Sequence, residues 1–117
     1  MARPRKQRKV CRLPDSNIFG PLEISFHGKD YISMTVDEYE TIRLIDLEQF
    51  TQEECSEQMN IARTTVQGIY IEARRKISDA LVNSKVLIIE GGDYQLCNNE
   101  GNRCGRGCHR TNINIKE

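Results

Sequence analysis

From residue 35 onward the apolar positions fall at helical spacing. Val36, Tyr39 and Ile42, with Ile45 beyond, form one stripe, and Thr35 with Glu38 makes a capping box at its start. The same device recurs at Thr51 and Glu54, with Phe50 placed as a staple residue against Cys55. These patterns predict helices starting at residues 35 and 51. A third helix is predicted over residues 63–82, with Val66, Ile69, Tyr70, Ala73, Ile77 and Leu81 on one face.

Outside the helices the apolar runs are short. "VCRLP" at 10–14 reads as a short strand closed by Pro14, and "IFGPL" is irregular, punctuated by Gly20-Pro21. "EISFHGKDYISM" alternates around a polar centre, the pattern of a small hairpin. "KVLIIEGGDYQL" reads as a strand, a turn at Gly91-Gly92-Asp93 and a second short strand. Residues 1–9 read as a disordered basic arm, residues 10–96 as the folded domain, and residues 97–117 as a Cys/Gly-rich tail that cannot build a core of its own. The expected fold is mainly α with small β elements: three helices, with short N- and C-terminal strands.

Composition sharpens this picture through its unevenness. At 117 residues the chain holds one domain with tails, and without tryptophan its core must be small and aliphatic. The net charge is zero, but the charges come in blocks. Residues 1–12 carry six bases and no acid, Asp37 to Glu57 carry Arg43 as their only base, and Arg63 to Lys85 turn basic again. Such a chain is suited to meeting a polyanion on one face. No apolar run approaches the roughly 20 residues of a membrane span, and no apolar signal region follows the basic start. A cytoplasmic protein without a membrane partner is expected, and an odd count of five cysteines fits a reducing compartment better than a disulfide framework.

The stretch "QMNIARTTVQ" at 58–67 gives the candidate chemistry. Cys55 and Ser56 are small where a second helix would cross, and Asn60 tolerates a left-handed backbone. Met59, Ile61, Val66 and Ile69 would lock the angle. These are the needs of a helix-turn-helix. At 100° per residue, Thr64, Gln67, Gly68, Ile71 and Arg75 share the outer face of the third helix. Arg63 and Gln67 carry forked groups suited to base edges, Gly68 removes bulk at the groove floor, and Ile71 suits a thymine methyl. Thr65 and Arg74 flank them, and the arm adds Arg3, Arg5, Lys6, Arg8 and Lys9 for minor-groove or backbone contact. The plain alternative is a solvated amphipathic helix, but that face would more naturally carry Glu–Lys pairs than Thr, Gln, Gly and an exposed Ile.

The segment "TVDEYETIRLIDLEQFTQEECSEQMNIARTTVQGIYIEARRKISDALV" resembles the region-four helix-turn-helix of bacterial sigma factors. Together with "ARPRKQRKVCRLP", "FGP" and "IEGGDY", it also resembles a family of small prokaryotic predicted DNA-binding proteins, domain-of-unknown-function family 134, over residues 2–94. The resemblance implies a sigma-like fold and a transcriptional role. Family members often have Gly-Val-Ser where this chain has Asn60-Ile61-Ala62. Ala62 offers no hydroxyl to cap the third helix, a loss of about 1 kcal/mol.

The cysteines divide into two groups. Cys55 reads as a small packing residue. Cys11, Cys97, Cys104 and Cys108, with His109 as substitute ligand, are a candidate four-thiolate site for zinc if the strand near residue 10 lies beside those at 86–96. An iron–sulfur cluster or metal-free thiols are equally open. The function expected is sequence-specific DNA binding in transcriptional regulation, with metal or redox response. The alternative is an interaction adaptor of the transcription machinery, its acidic helices meeting a basic partner. Double-stranded DNA is the expected partner, with RNA polymerase and a second copy of the chain as further candidates. No enzyme is expected, because adjacent Cys108 and His109 do not face one another and no general-base constellation accompanies them.

Overall fold

The computed structural model describes residues 7–22 and 30–97. Chain order is β1 (Arg8–Val10), β2 (Ile18–Phe19), β3 (Tyr31–Met34), α1 (Val36–Thr41) running into a π-helical segment (Ile42–Leu47), α2 (Gln52–Met59), α3 (Arg63–Val82), β4 (Val86–Ile89) and β5 (Tyr94–Leu96). Three helices and small strands are therefore present, and α3 spans the expected residues. Among the described residues no helix is long and apolar enough to cross a membrane.

Both expected capping boxes form. Thr35 Oγ1 accepts from Glu38 N–H at 3.3 Å while Thr35 N–H donates to Glu38 Oε1 at 3.0 Å. The pair at Thr51 and Glu54 closes at 3.0 and 2.9 Å. At the third start Ala62 makes no side-chain cap, as its missing hydroxyl requires. Asn60 adopts the left-handed conformation, φ 60° and ψ 46°, and Ile61 N–H reaches back to Ser56 O at 3.1 Å. Asparagine accepts that conformation more readily than other residues with a Cβ.

The strands assemble less locally. β4 is central in a three-stranded sheet, with β2 antiparallel on one side and β3 parallel on the other. Its register pairs Met34 with Ile89 and Phe19 with Leu87, so these side chains share the face toward α3. β1 and β5 form a separate parallel pair, Arg8 opposite Tyr94 and Val10 opposite Leu96. Gly91 and Gly92 carry the chain from one sheet to the other at φ 74° and 107°. A Cβ at Gly92 would come within 2.5 Å of Asp37 Oδ1 and 2.8 Å of Thr35 Cβ, so only glycine passes there.

Three expectations are corrected here. The first strand lies at 8–10 rather than 10–14, so Arg8 and Lys9 leave the arm. Pairing with β5 decides this, because Arg8 N–H donates to Asp93 O and Cys97 N–H to Val10 O. The hairpin expected over "EISFHGKDYISM" falls partly on residues 23–29, outside the described residues, and its second half is β3, paired in parallel with β4. The first helical stripe does not continue regularly. After Thr41 the backbone widens into π geometry, with Glu48 N–H bonding Arg43 O. The widening moves the chain between two cores, Ile42 packing on one cluster and Leu44 and Ile45 on the other.

One core is Val10, Met34, Val36, Ala73, Leu87 and Ile89, and the other is Leu44, Phe50, Cys55, Met59, Ile61 and Val66. At the changeover sits a buried ion pair that the sequence did not announce. Glu40 is fully buried, and its Oε2 lies 2.7 Å from Arg43 Nη2, with a second bond from Arg43 Nε to its Oε1 at 3.0 Å. Cys11 N–H donates to the same carboxylate at 3.3 Å, fastening β1 to the helices.

Candidate nucleic-acid interface

α3 is two-sided. Val66 and Ala73 are fully buried, whereas Arg63, Thr64, Gln67, Gly68, Ile71, Arg74 and Arg75 are exposed and Thr65 is half-buried. Ile71 keeps 65% of its surface in water, an apolar side chain among the polar ones of the outer face. Gly68 is placed just as openly. A Cβ built there meets nothing within 4 Å, so no contact described in this chain requires a glycine mid-helix. The apolar face expected to run through Leu81 ends earlier, and Leu81 is 78% exposed.

The basic residues divide by environment. Arg74 is steered sideways: its Nη1 donates to Tyr70 Oη at 3.2 Å, its guanidinium lies 5.4 Å from the Tyr70 ring centre, and Tyr70 in turn donates to Asp46 at 2.7 Å. Partial burial, then the Asp46 acceptor, pushes the Tyr70 hydroxyl above its ordinary pKa. Arg75 pairs with Glu72 at 2.6 Å, a bond that holds the Glu72 carboxyl below its usual range. This is an exposed pair, and such pairs add little to stability.

Arg8 is committed elsewhere. It is only 8% exposed and lies 3.7 Å from both Asp37 and Asp93, tying β1 to α1 and to the turn before β5. Arg8 was expected in a free arm and instead sits in a strand with two carboxylate neighbours, where it also lines the cleft beside Thr64, Thr65 and Gly68. Lys9 is half-buried in β1, and Arg3, Arg5 and Lys6 lie outside the described residues. Between α3 and the start of α1 runs a cleft of about 450 Å³, lined on the helix side by Thr64, Thr65 and Gly68. Four carboxylates also line it: Glu38 pairs with Lys76 at 2.8 Å, Glu72 with Arg75 at 2.6 Å, and Asp37 and Asp93 share Arg8 at 3.7 Å.

The candidate metal ligands are brought together in part. The β1–β5 ladder sets Cys11 and Cys97 at neighbouring positions, and each is disulfide-bonded in this structure. Cys104, Cys108 and His109 lie outside the described residues. Among the described residues no group of three His, Cys, Asp or Glu side chains is arranged to hold a metal ion. Cys11 also touches the bend region, since Gln58 Nε2 of α2 lies 3.7 Å from its sulfur. Cys55 is a core thiol, as expected. Burial, then the nearby Glu40 charge, pushes its pKa up to about 12.

Sequence reasoning missed the Glu40–Arg43 pair and the Tyr70–Asp46–Arg74 cluster. The i,i+3 spacing of Glu40 and Arg43 was a signal, but such spacing is common on exposed helix faces. Tyr70 and Asp46 are distant in sequence, and nothing local links them.

Three helices with two small sheets among the described residues make this a small α-rich protein. The chain belongs to the family described as "Protein of unknown function DUF134", which matches residues 1–97. A UPF0251 protein of Desulfitobacterium hafniense (strain Y51) is 66% identical over 110 residues, covering 94% of this chain and 88% of the relative. A UPF0251 protein of Halothermothrix orenii is 42% identical over 107 residues, covering 90% and 79%. One from Caldicellulosiruptor bescii is 48% identical over 98 residues, covering 84% and 68%. No solved structure gives a significant match.

Proposed function

We propose that this protein binds double-stranded DNA in a sequence-dependent way and regulates transcription. In this reading α2, the bend at Asn60 and α3 act as a helix-turn-helix of the sigma region-four type. The observation that carries it is Gly68. A glycine in a helix interior costs about 1 kcal/mol relative to alanine. No contact described within the chain requires that cost, because a Cβ there would stand in open space. A groove floor or sugar–phosphate backbone approaching the helix would require it. Around it Arg63, Thr64 and Gln67 offer hydrogen-bonding groups, and exposed Ile71 offers an apolar contact to a thymine methyl.

Selection of bound duplexes from random DNA, followed by salt-dependent gel shifts, tests this reading. Gln67→Ala and Arg63→Ala should each lose about 1–3 kcal/mol on the selected site and relax preference at one position. Gly68→Ala should raise thermal stability while weakening binding. Deleting residues 2–6 should make the salt dependence shallower, by roughly 0.9 in slope for each phosphate no longer neutralised. A selection that yields no consensus, with Gly68→Ala binding as well as the parent, would falsify the reading.

A metal or redox response belongs to the same proposal. What supports it is the Gln58 contact, which makes the chemistry at Cys11 sulfur a neighbour of α2. Zinc held by Cys11, Cys97, Cys104 and Cys108 would need the sulfurs of Cys11 and Cys97 released from the disulfides they form here. Metal analysis of anaerobically purified protein, beside disulfide mapping of the oxidised form, decides between them. An adaptor role is the competing reading. What favours it is the exposed acidic side of α2, Glu53, Glu54 and Glu57, which would suit a basic partner such as a polymerase surface.

A further inference from the structure

A second concave site lies away from the exposed face of α3. A groove of about 640 Å³ opens between the three-stranded sheet and the C-terminal half of α3. Its floor is the protein's own core, Met34, Leu87 and Ile89, and its lip is formed by Phe19, half exposed, and Leu81. The volume falls in the range of small-molecule sites, which are mostly apolar with a few placed polar groups.

Among the described residues the polar side chains lining it are Tyr39, Ser84 and Lys85, and Lys85 is the only charged one. The end of α3 puts Ser84 and Lys85 there. Lys85 N–H bonds back to Ala80 O at 2.9 Å, and Ser84 takes φ 54°, at the position where helix ends usually place glycine. Asp79 accepts from Lys85 Nζ at 3.2 Å, which uses one of the three ammonium donors and steadies the group.

We propose that this groove binds a small amphipathic carboxylate, its acyl or aryl body in the groove and its carboxylate at Lys85 and Ser84. The head group is selected by Lys85, the one charged side chain of the described lining; its bond to Asp79, which lies outside that lining, leaves two ammonium donors for a carboxylate. A second copy of the chain fits less well. Lip side chains offer on the order of 200 Å² of apolar surface, whereas a stable interface takes roughly 800 Å² from each partner. Ile77, Ala80 and Leu81 belong to the helix that carries Gln67, so occupancy would bias DNA reading if that reading holds. Binding of the carboxylate does not depend on it.

Calorimetric titration of the full chain with decanoate, decylamine and decanol tests the site without DNA. Decanoate should bind saturably at one site per chain, with decylamine at least about fivefold weaker, the scale of one partly exposed ion pair. Lys85→Met should erase the preference for decanoate over decanol while leaving decanol binding unchanged. Leu81→Asp, a change at an exposed lip position, should weaken decanoate without loss of helical circular dichroism. The proposal fails if decanoate gives no saturable heat, or if Lys85→Met keeps the head-group preference. It fails equally if sedimentation shows a ligand-free dimer that Leu81→Asp dissociates, since the groove is then a chain–chain contact.

Discussion

The two cores of this protein are alike in composition and unlike in origin. Leu44, Phe50, Cys55, Met59, Ile61 and Val66 all come from residues 44–66, around one bend. Val10, Met34, Val36, Ala73, Leu87 and Ile89 come from five elements spread over residues 10–89. α3 joins the two, giving fully buried Val66 to the first and Ala73 to the second. The difference teaches how the molecule divides its surface. The local core fixes the angle of α2 against α3 and leaves the outer face of α3 free of packing demands. The non-local core lays the sheet against the other half of that helix and leaves a groove where the two do not close.

The largest effect should come from the joint between the cores. Arg43→Ala strands the buried Glu40 carboxylate and should cost about 3–5 kcal/mol in urea denaturation. A loss below about 1 kcal/mol would mean that water reaches Glu40 and that the joint is not shared. Met59→Ala and Met34→Ala, one in each core, should each cost about 2–5 kcal/mol. Hydrogen exchange then shows whether the cores are one cooperative unit. Equal loss of protection at 55–59 and at 86–89 in both variants is expected, and loss confined to the mutated side would separate the two.

A chemical readout bears on the local core alone. Cys55 has a folded pKa raised from 9.0 to about 12, so the protonated thiol is favoured in the native state. Its contribution to stability is fully present below pH 9 and is lost as pH rises from 9 toward 12. Iodoacetamide labelling of Cys55 at pH 8 should therefore track global unfolding, and fast labelling of the native protein would show that the local core opens by itself. The smallest effects concern helix starts. Thr51→Ala should cost about 1 kcal/mol, and Ala62→Ser should recover a similar amount by supplying the absent cap. An unchanged melting temperature in Ala62→Ser would mean that packing already fixes that start.

Helix positions were set by interactions within four residues, and these were legible. Thr35–Glu38, Thr51–Glu54 and Asn60 declare starts and a stop through their own side chains, and the period of α3 declares which face is outward. Residues around Gly68 were legible for the same reason.

Strands at 86–89 and 94–96 were legible, and β1 beside β5 was raised only as the condition of the metal site; the other pairings were not, because runs of two to four residues have no period to read and their partners lie far along the chain. Whether Arg8 belonged to an arm or a strand depended on Asp37 and Asp93, which only the folded chain brings to it. The exposure of Leu81, the burial of Glu40 with Arg43 and the groove above Met34 likewise arise where separate elements meet. The sequence by itself determined the helices, the bend and the outward face of α3, since local hydrogen bonds and periodicity act without a partner. The sheets, the joint and the groove were decided by tertiary structure, since burial and charge pairing take their value from whatever packs opposite.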